Sequence, residues 1–231
     1  MAFIRTYWSI VLILFIGSAL RFYNLGIIPG PVFDEVFYPT FALNYLNGGT
    51  FLSVHPPLGS YLLTLGIYLY DLLPWTESID FTLATVESIN PLAYRWISAV
   101  AGVSLIYVGY KLALELLNVQ SFALLSALFL ALDGSLLVDS RLGLINIFFS
   151  LFGFTAILFF IKGIKGHNMG QLLLSGLLIG AAISTKWNGL GFWLTLLLFL
   201  LLLFIFDKFS LHSEDKYKNY GLMQASLVLV L

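Results

Sequence analysis

Two short polar stretches stand out in a chain that is otherwise almost wholly apolar. Pro31-Val-Phe-Asp-Glu-Val-Phe-Tyr38 carries Asp34 and Glu35 side by side, and Val54-His-Pro-Pro-Leu58 places His55 before two prolines. A positioned carboxylate can act as a general base, taking the proton of an attacking hydroxyl. Adjacent residues of a helix or strand do not point the same way. The pair therefore differs from the two facing carboxylates that flank a glycosidic bond in a glycosidase. One carboxylate is left for chemistry, the other for orienting it or binding substrate. A competing reading is a solvated pair, or Asp34 as the N-cap of a helix starting near Glu35. His55 is held extended, because proline disfavours the α conformation in the residue before it. It reads as a ligand of phosphate or sugar, or as the cap of the helix that the prolines introduce. A cation held by Asp34, Glu35 and His55 stays open as well, although the other two histidines, His167 and His212, lie far along the chain.

The rest of the chain has to hold these groups at a membrane. Its 231 residues are 60% hydrophobic and 10% charged, with a mean hydropathy of +0.96. A soluble domain carries about 25% charged residues, so the fold class expected is an all-α polytopic membrane protein. A net charge of -1 gives no electrostatic case for a nucleic-acid partner. The absence of cysteine excludes disulfides and thiolate metal sites.

The breakers and apolar runs divide the chain. Residues 4–23 form a first helix, with Arg5 and Arg21 snorkelling outward at its ends. The alternative is a cleaved signal peptide. Both place Asp34 beyond the membrane. Pro29, Gly30 and Pro31 stop any helix, and residues 36–46 resume one, with Phe37, Phe41 and Tyr45 on one face. Residues 58–73 are apolar but short for a bilayer, and Ser60, Tyr61, Thr64, Tyr68 and Tyr70 interrupt them, so an interfacial helix is expected. Residues 71–90 read as a loop. Residues 92–117, 121–138 and 142–161 are expected to span, 169–183 form a short helix, and 190–206 span again. A polar loop over 207–220 precedes an apolar stretch from about 221 that holds only half a span. The last helix is thus expected to be truncated in a chain, 1–231, that is one membrane unit.

Charge sets the topology. If residues 58–73 do not cross, Arg5, Lys111, Lys162, Lys165, Lys208, Lys216 and Lys218 share one side, and Arg21, Arg95, Arg141 and Lys186 share the other. The more basic side is cytoplasmic. The segment 24–90 is then an extracytoplasmic loop, and Asp34, His55, Arg95, Arg141 and Lys186 gather at one membrane face. Ionisable groups near hydrocarbon are costly and mark function by default. Three cations at headgroup depth suit an anionic lipid phosphate, gripped in a fork by arginine and met as a point charge by lysine. Ordinary snorkelling is the simpler alternative for each of them. A transporter would place its charges mid-span, often in repeated halves, and no repeat is found.

These residues resemble the protein O-mannosyltransferase family. The matching elements are Phe33-Asp-Glu-Val36, Val54-His-Pro-Pro-Leu58, Tyr94-Arg95 with Ala99 and Gly102, Leu132-Asp133, Asp139-Ser-Arg141, and Ser184-Thr-Lys-Trp-Asn-Gly-Leu190. The Asp-Glu pair alone is shared with other lipid-phosphate sugar transferases, including the aminoarabinose transferases of lipid A. The resemblance implies a multi-pass glycosyltransferase fold of the GT-C type. It implies an inverting enzyme that moves mannose from polyprenyl-phosphate mannose to serine or threonine hydroxyls of proteins. On that basis Asp34 matches the catalytic aspartate, Glu35 and His55 match site-lining positions, and Arg95 matches an arginine important for activity. Arg141 and Lys186 match basic positions near the donor phosphate. No metal cofactor is needed, since the leaving group is already a phosphate. Asn146 departs from the pattern, standing where the family often has an aspartate. The lack of a β-trefoil module points to a bacterial enzyme at the plasma membrane. A related transferase acting on lipid or glycan, and an inactive membrane fragment, are the alternatives. Single cysteines introduced at positions 80 and 165 test the topology. An impermeant thiol reagent added from outside should label position 80 and not 165; the reverse would overturn the map.

Overall fold

The computed structural model describes residues 2–50 and 53–209, and the regular structure of those residues is helical. The helices are α1 (Ala2–Phe22), α2 (Tyr38–Leu46), α3 (Leu58–Asp71), α4 (Leu92–Leu117), α5 (Gln120–Leu132), α6 (Gly134–Arg141), α7 (Asn146–Lys165), α8 (Met169–Thr185) and α9 (Leu190–Phe209). Among the described residues, Leu92–Leu117, Asn146–Lys165 and Trp187–Ile205 are long and apolar enough to cross a bilayer. The bent pair α5–α6 makes a fourth span if taken as one, and Trp8–Phe22 and α8 are shorter apolar helices. α3 has 14 residues, about 21 Å at 1.5 Å per residue, which falls short of the ~30 Å hydrocarbon core.

α4 is the central helix and packs against α1, α3, α5, α6 and α7. Its neighbours come close because small residues line the contacts, the usual solution where lipid removes the hydrophobic drive for helix association. Ala123, Ala127 and Ala131 recur at four-residue spacing on α5, are fully buried, and cluster with Ile10 of α1 and Ile106 of α4. A Cβ on Gly102 of α4 would lie 2.4 Å from Ser140 of α6. α7 and α8 form a hairpin, joined across the interface where the Ser175 hydroxyl donates to the Ala156 carbonyl at 2.8 Å.

Three expected elements change. The helix expected over 121–138 is broken by 57° between α5 and α6. Asp133 is extended (φ -60°, ψ 123°) and N-caps α6, its carboxylate accepting from the Leu136 amide at 2.8 Å. The helix expected from 142 starts at Asn146, because the Gly143 amide donates to the Glu35 carboxylate at 2.6 Å instead of joining a helical ladder. The helix expected from 36 starts at Tyr38, after a 3-10 turn over Phe33–Val36 in which Phe33 takes a positive φ of 55°. The loop before α4 is also more ordered than its sequence suggests: Val86 and Ile89 are buried in the main core, and the Asp71 carboxylate accepts from the Ile79 amide at 2.6 Å. The polar loop expected over 207–220 begins later, since α9 continues to Phe209; the rest of that loop and the helix expected from about 221 lie outside the described residues.

Arg21 does not snorkel; it is 1% exposed. Its guanidinium donates to the carbonyls of Gly17, Leu130 and Ala131, each at 3.2 Å. The last two are carbonyls at the end of α5, left without helical partners by the break. Arg141, ending α6, donates in return to the Leu20 carbonyl at 2.5 Å and the Arg21 carbonyl at 3.4 Å, at the end of α1. The end of α5 is thus capped by an arginine of α1, and the end of α1 by an arginine of α6, which also suits the negative end of a helix dipole.

A second buried knot fixes the loop after α1. Glu35 and Arg95 are 0% and 1% exposed and pair at 2.7 Å. Arginine has five N–H groups, and here all are engaged. Nε and one Nη2 hydrogen reach the Glu35 carboxylate, while the Leu25, Ile28 and Gly30 carbonyls take the remaining three. Glu35 in turn accepts from the amides of Val32 and Gly143. The pair at the opposite end of the bundle, Lys165–Glu115, spans 3.3 Å with its side chains 54% and 26% exposed, and such a pair contributes about 0–1 kcal/mol. Breaking the buried pair is a different matter. Glu35→Ala or Arg95→Ala alone should destabilise the folded protein by about 3–5 kcal/mol, read by thermal unfolding in detergent. The double variant should lose less than the sum of the two, since neither charge is then left unpaired.

Candidate active site

The turn that carries Asp34 and Glu35 separates them. Glu35 points into the bundle and is saturated by Arg95 and two backbone amides. Asp34, one residue earlier, stays half-buried at the surface, and no hydrogen bond or ion pair engages its carboxylate among the described residues. The N-cap of that turn is Val32 rather than Asp34. Asp34 is therefore not spent as a cap, and its negative charge acts on two neighbours, Tyr38 and His55.

His55 lies between Asp34 and Lys186 in electrostatic reach. Its ring stacks on that of Tyr38, with centroids 6.5 Å apart and planes 27° apart. Nδ1 is buried and has no hydrogen-bond partner among the described residues. Burial, reinforced by the charge of Lys186 and opposed by that of Asp34, pulls His55 below the ordinary histidine value. The imidazole is accordingly neutral at pH 7. α3 is capped at Pro57, so His55 does not serve as its cap. The segment is anchored from the far end of the chain, by the Trp187 indole N–H donating to the Val54 carbonyl at 2.9 Å. Beside it opens a cleft of about 360 Å³ lined by Tyr45, His55, Ser60, Tyr61 and Trp187, among others.

Lys186 follows α8 in an extended conformation (φ -155°, ψ 139°). Its ammonium donates to the Asn146 side-chain oxygen at 2.7 Å, and the Asn146 amide nitrogen donates to Asp139 at 3.2 Å. Lysine has three ammonium hydrogens, and among the described residues no hydrogen bond engages the other two. Arg141 uses Nη1 on the end of α1, while no hydrogen bond occupies its Nε or Nη2 among the described residues.

The sequence-predicted residues thus fall into two groups. Asp34, His55 and Lys186 come together, with Arg141 half-buried at the same end of the bundle. Glu35 and Arg95 are brought to each other, behind that surface. They were expected to touch substrate, and full burial with saturated hydrogen bonding leaves them no free donor or acceptor to do so. A cation shared by Asp34, Glu35 and His55 meets the same obstacle, and no group of three His, Asp or Glu is placed to hold a metal ion among the described residues. Sequence reasoning missed two contributors. Tyr38, four residues after Asp34, supplies the floor under His55, and Asn146 bridges Lys186 to Asp139.

Comparison with known proteins follows the same lines. Residues 11–231 match the family described as dolichyl-phosphate-mannose-protein mannosyltransferase. The polyprenol-phosphate-mannose–protein mannosyltransferase of Mycolicibacterium smegmatis is 25% identical over 238 residues, covering 87% of this chain and 42% of the relative. Protein O-mannosyltransferase 1 of Drosophila pseudoobscura pseudoobscura is 32% identical over 137 residues, covering 58% of this chain and 14% of the relative. The chain therefore spans less than half the length of these relatives. Among solved structures, the S. cerevisiae Pmt1–Pmt2 complex bound to the sugar donor superposes with a TM-score of 0.82 at 23% identity, over 98% of this chain and 32% of that one. The archaeal oligosaccharyltransferase AglB from Archaeoglobus fulgidus superposes at 0.75 with 17% identity, over 97% and 28%. These likenesses give the fold, an all-α GT-C-like membrane architecture. With 221 of its 231 residues matched (11 to 231 inclusive), the chain belongs to the dolichyl-phosphate-mannose-protein mannosyltransferase family.

Proposed function

We propose that this chain carries the catalytic face of an inverting enzyme that moves mannose from polyprenyl-phosphate mannose to serine or threonine hydroxyls of proteins. The observation that carries the reading is the division of the acidic pair. Glu35 is locked into the fold, and Asp34 is left as an unengaged carboxylate beside a neutral histidine and a lysine. Family membership supplies the class of donor.

In this reading Asp34 accepts the proton of the acceptor hydroxyl as its oxygen attacks the anomeric carbon from the face opposite the phosphate. The bond from the anomeric carbon to the phosphate oxygen breaks, its electron pair stays with the phosphate, and the configuration inverts. Negative charge grows on the departing lipid phosphate, where the free N–H groups of Lys186 and Arg141 are worth most in a site shielded from water. Neutral His55 adds no charge to compete with them. Glu35 and Arg95 act through the backbone that they hold, as positioning residues. Charge pattern and the mycobacterial relative favour a bacterial plasma membrane with the site on its extracytoplasmic face. α3 then lies at the interface, within the outer loop.

Transfer from radiolabelled polyprenyl-phosphate mannose into protein, peptide and lipid acceptors, offered in parallel, tests the assignment on the full-length enzyme. Label is expected in serine or threonine of the protein and peptide. Label in lipid alone would establish a lipid-directed transferase instead. Asp34→Asn should lower the transfer rate by about 10²–10⁴-fold while donor binding persists, and transfer at the parent rate would remove Asp34 as the base.

A further inference from the structure

The turn that carries Asp34 holds one residue in a conformation its side chain does not favour. Phe33 has a φ of 55°, in the left-handed region that a bulky L-residue rarely adopts. The other positive-φ positions among the described residues are Asn24, Asn118, His167, Gly30 and Gly48, residue types that tolerate it. Two bonds clamp the turn around Phe33. The Val32 amide donates to the Glu35 carboxylate at 2.8 Å, and the Glu35 amide donates to the Val32 carbonyl at 3.1 Å. Glycine would make this turn with less strain. The phenyl ring adds nothing to the core in exchange. It is 74% exposed, joins none of the buried clusters and makes no ring contact among the described residues. Phe37, the next exposed ring, rests against Phe41 with centroids 6.5 Å apart. Backbone strain clusters where function holds it, and here it holds an apolar ring outward, one residue from the carboxylate assigned as the base.

Resting on the reading of this chain as a transferase with a polypeptide acceptor, we propose that Phe33 is a specificity-determining residue whose ring receives the apolar side chain next to the accepting serine or threonine. An inverting displacement at the anomeric carbon puts the base and the departing phosphate on opposite faces of the sugar. The prenyl chain follows the phosphate, so a group next to the base lies on the acceptor's side. Consecutive Cα atoms are about 3.8 Å apart in enzyme and acceptor alike. The ring is therefore offset from the base by the spacing that separates the accepting residue from its neighbour. An exposed phenyl ring offers that neighbour apolar contact and no hydrogen bond, which favours an aliphatic side chain there over a polar one.

The test uses the full-length enzyme in detergent, polyprenyl-phosphate mannose, and two peptides that differ only beside the serine, one with a Leu-Ser-Leu core and one with the near-isosteric Asn-Ser-Asn. The parent should favour the leucine peptide in kcat/KM by about tenfold. Phe33→Gly should bring that ratio close to one through the peptide KM, with the donor KM at the parent value. Its thermal midpoint should be no lower than the parent's, since glycine relieves the turn and no core contact is lost. Phe33→Asn, which also tolerates positive φ, provides the measurement should the glycine variant fail to fold. A parent that does not distinguish the peptides, or a variant that keeps the parent's ratio, would overturn the proposal and leave the transfer reaction standing. A raised donor KM would put the ring on the donor's side and overturn it as well. Failure of the parent to label either peptide while it labels lipid would overturn the polypeptide-acceptor reading, and this inference with it.

Discussion

The ion pair between Glu35 and Arg95 is the constraint on which one whole end of this molecule depends. Two unit charges have been taken out of water, and the desolvation cost of each runs to several kcal/mol. Their mutual attraction offsets it because every hydrogen-bonding position on both groups is filled. The partners are backbone groups of two separate segments, tied by the pair to a third. Leu25, Ile28, Gly30 and Val32 come from the loop after α1, Gly143 comes from the link between α6 and α7, and Arg95 itself rides on the central helix. Loss of either charge strands the other in a dry interior and releases the loop that carries Asp34.

That arrangement gives the acidic dipeptide its meaning. Two neighbouring carboxylates cannot both face one substrate, and the structure resolves the conflict by fixing one so that the other is aimed. Asp34 inherits its position from Glu35 through a single peptide bond. The same logic recurs on the basic side, where Asn146 steadies Lys186 and Arg141 is steadied by the carbonyls of α1. In each case a charged group with hydrogen-bonding capacity left over among the described residues is held by a neighbour that has little or none.

Much of this was legible in the sequence, and what was not has identifiable causes. Helix α4 was read with its bounds intact, because an unbroken apolar run between Pro91 and Asn118 admits few other outcomes. The gathering of Asp34, His55, Lys186 and Arg141 at one end followed from counting charges across spans. The break in α5–α6 was missed although Asp133-Gly134 signals an N-cap, since the apolar run continues past it. The start of α7 was misplaced because the Gly143 amide is claimed by a carboxylate 108 residues earlier, a competition that no local window contains. Arg95 and Glu35 were taken for substrate ligands for the same reason: their chemistry was visible, but not that each would consume the other. Burial of Arg21 was equally hidden, as its acceptors are carbonyls that become free only where α5 ends.

The exchange of arginines between α1 and α5–α6 bears on how the chain is assembled in a membrane. The acceptors of Arg21 on α5 lie 109 and 110 residues downstream, and Arg141 reaches back 121 residues to Leu20. Helices emerge from synthesis in chain order, so α1 is complete long before its cap exists. The outward posture read from the sequence does not hold in the folded protein, where Arg21 is 1% exposed. These contacts need α5 and α6, so this end of the bundle closes only after six helices have been made.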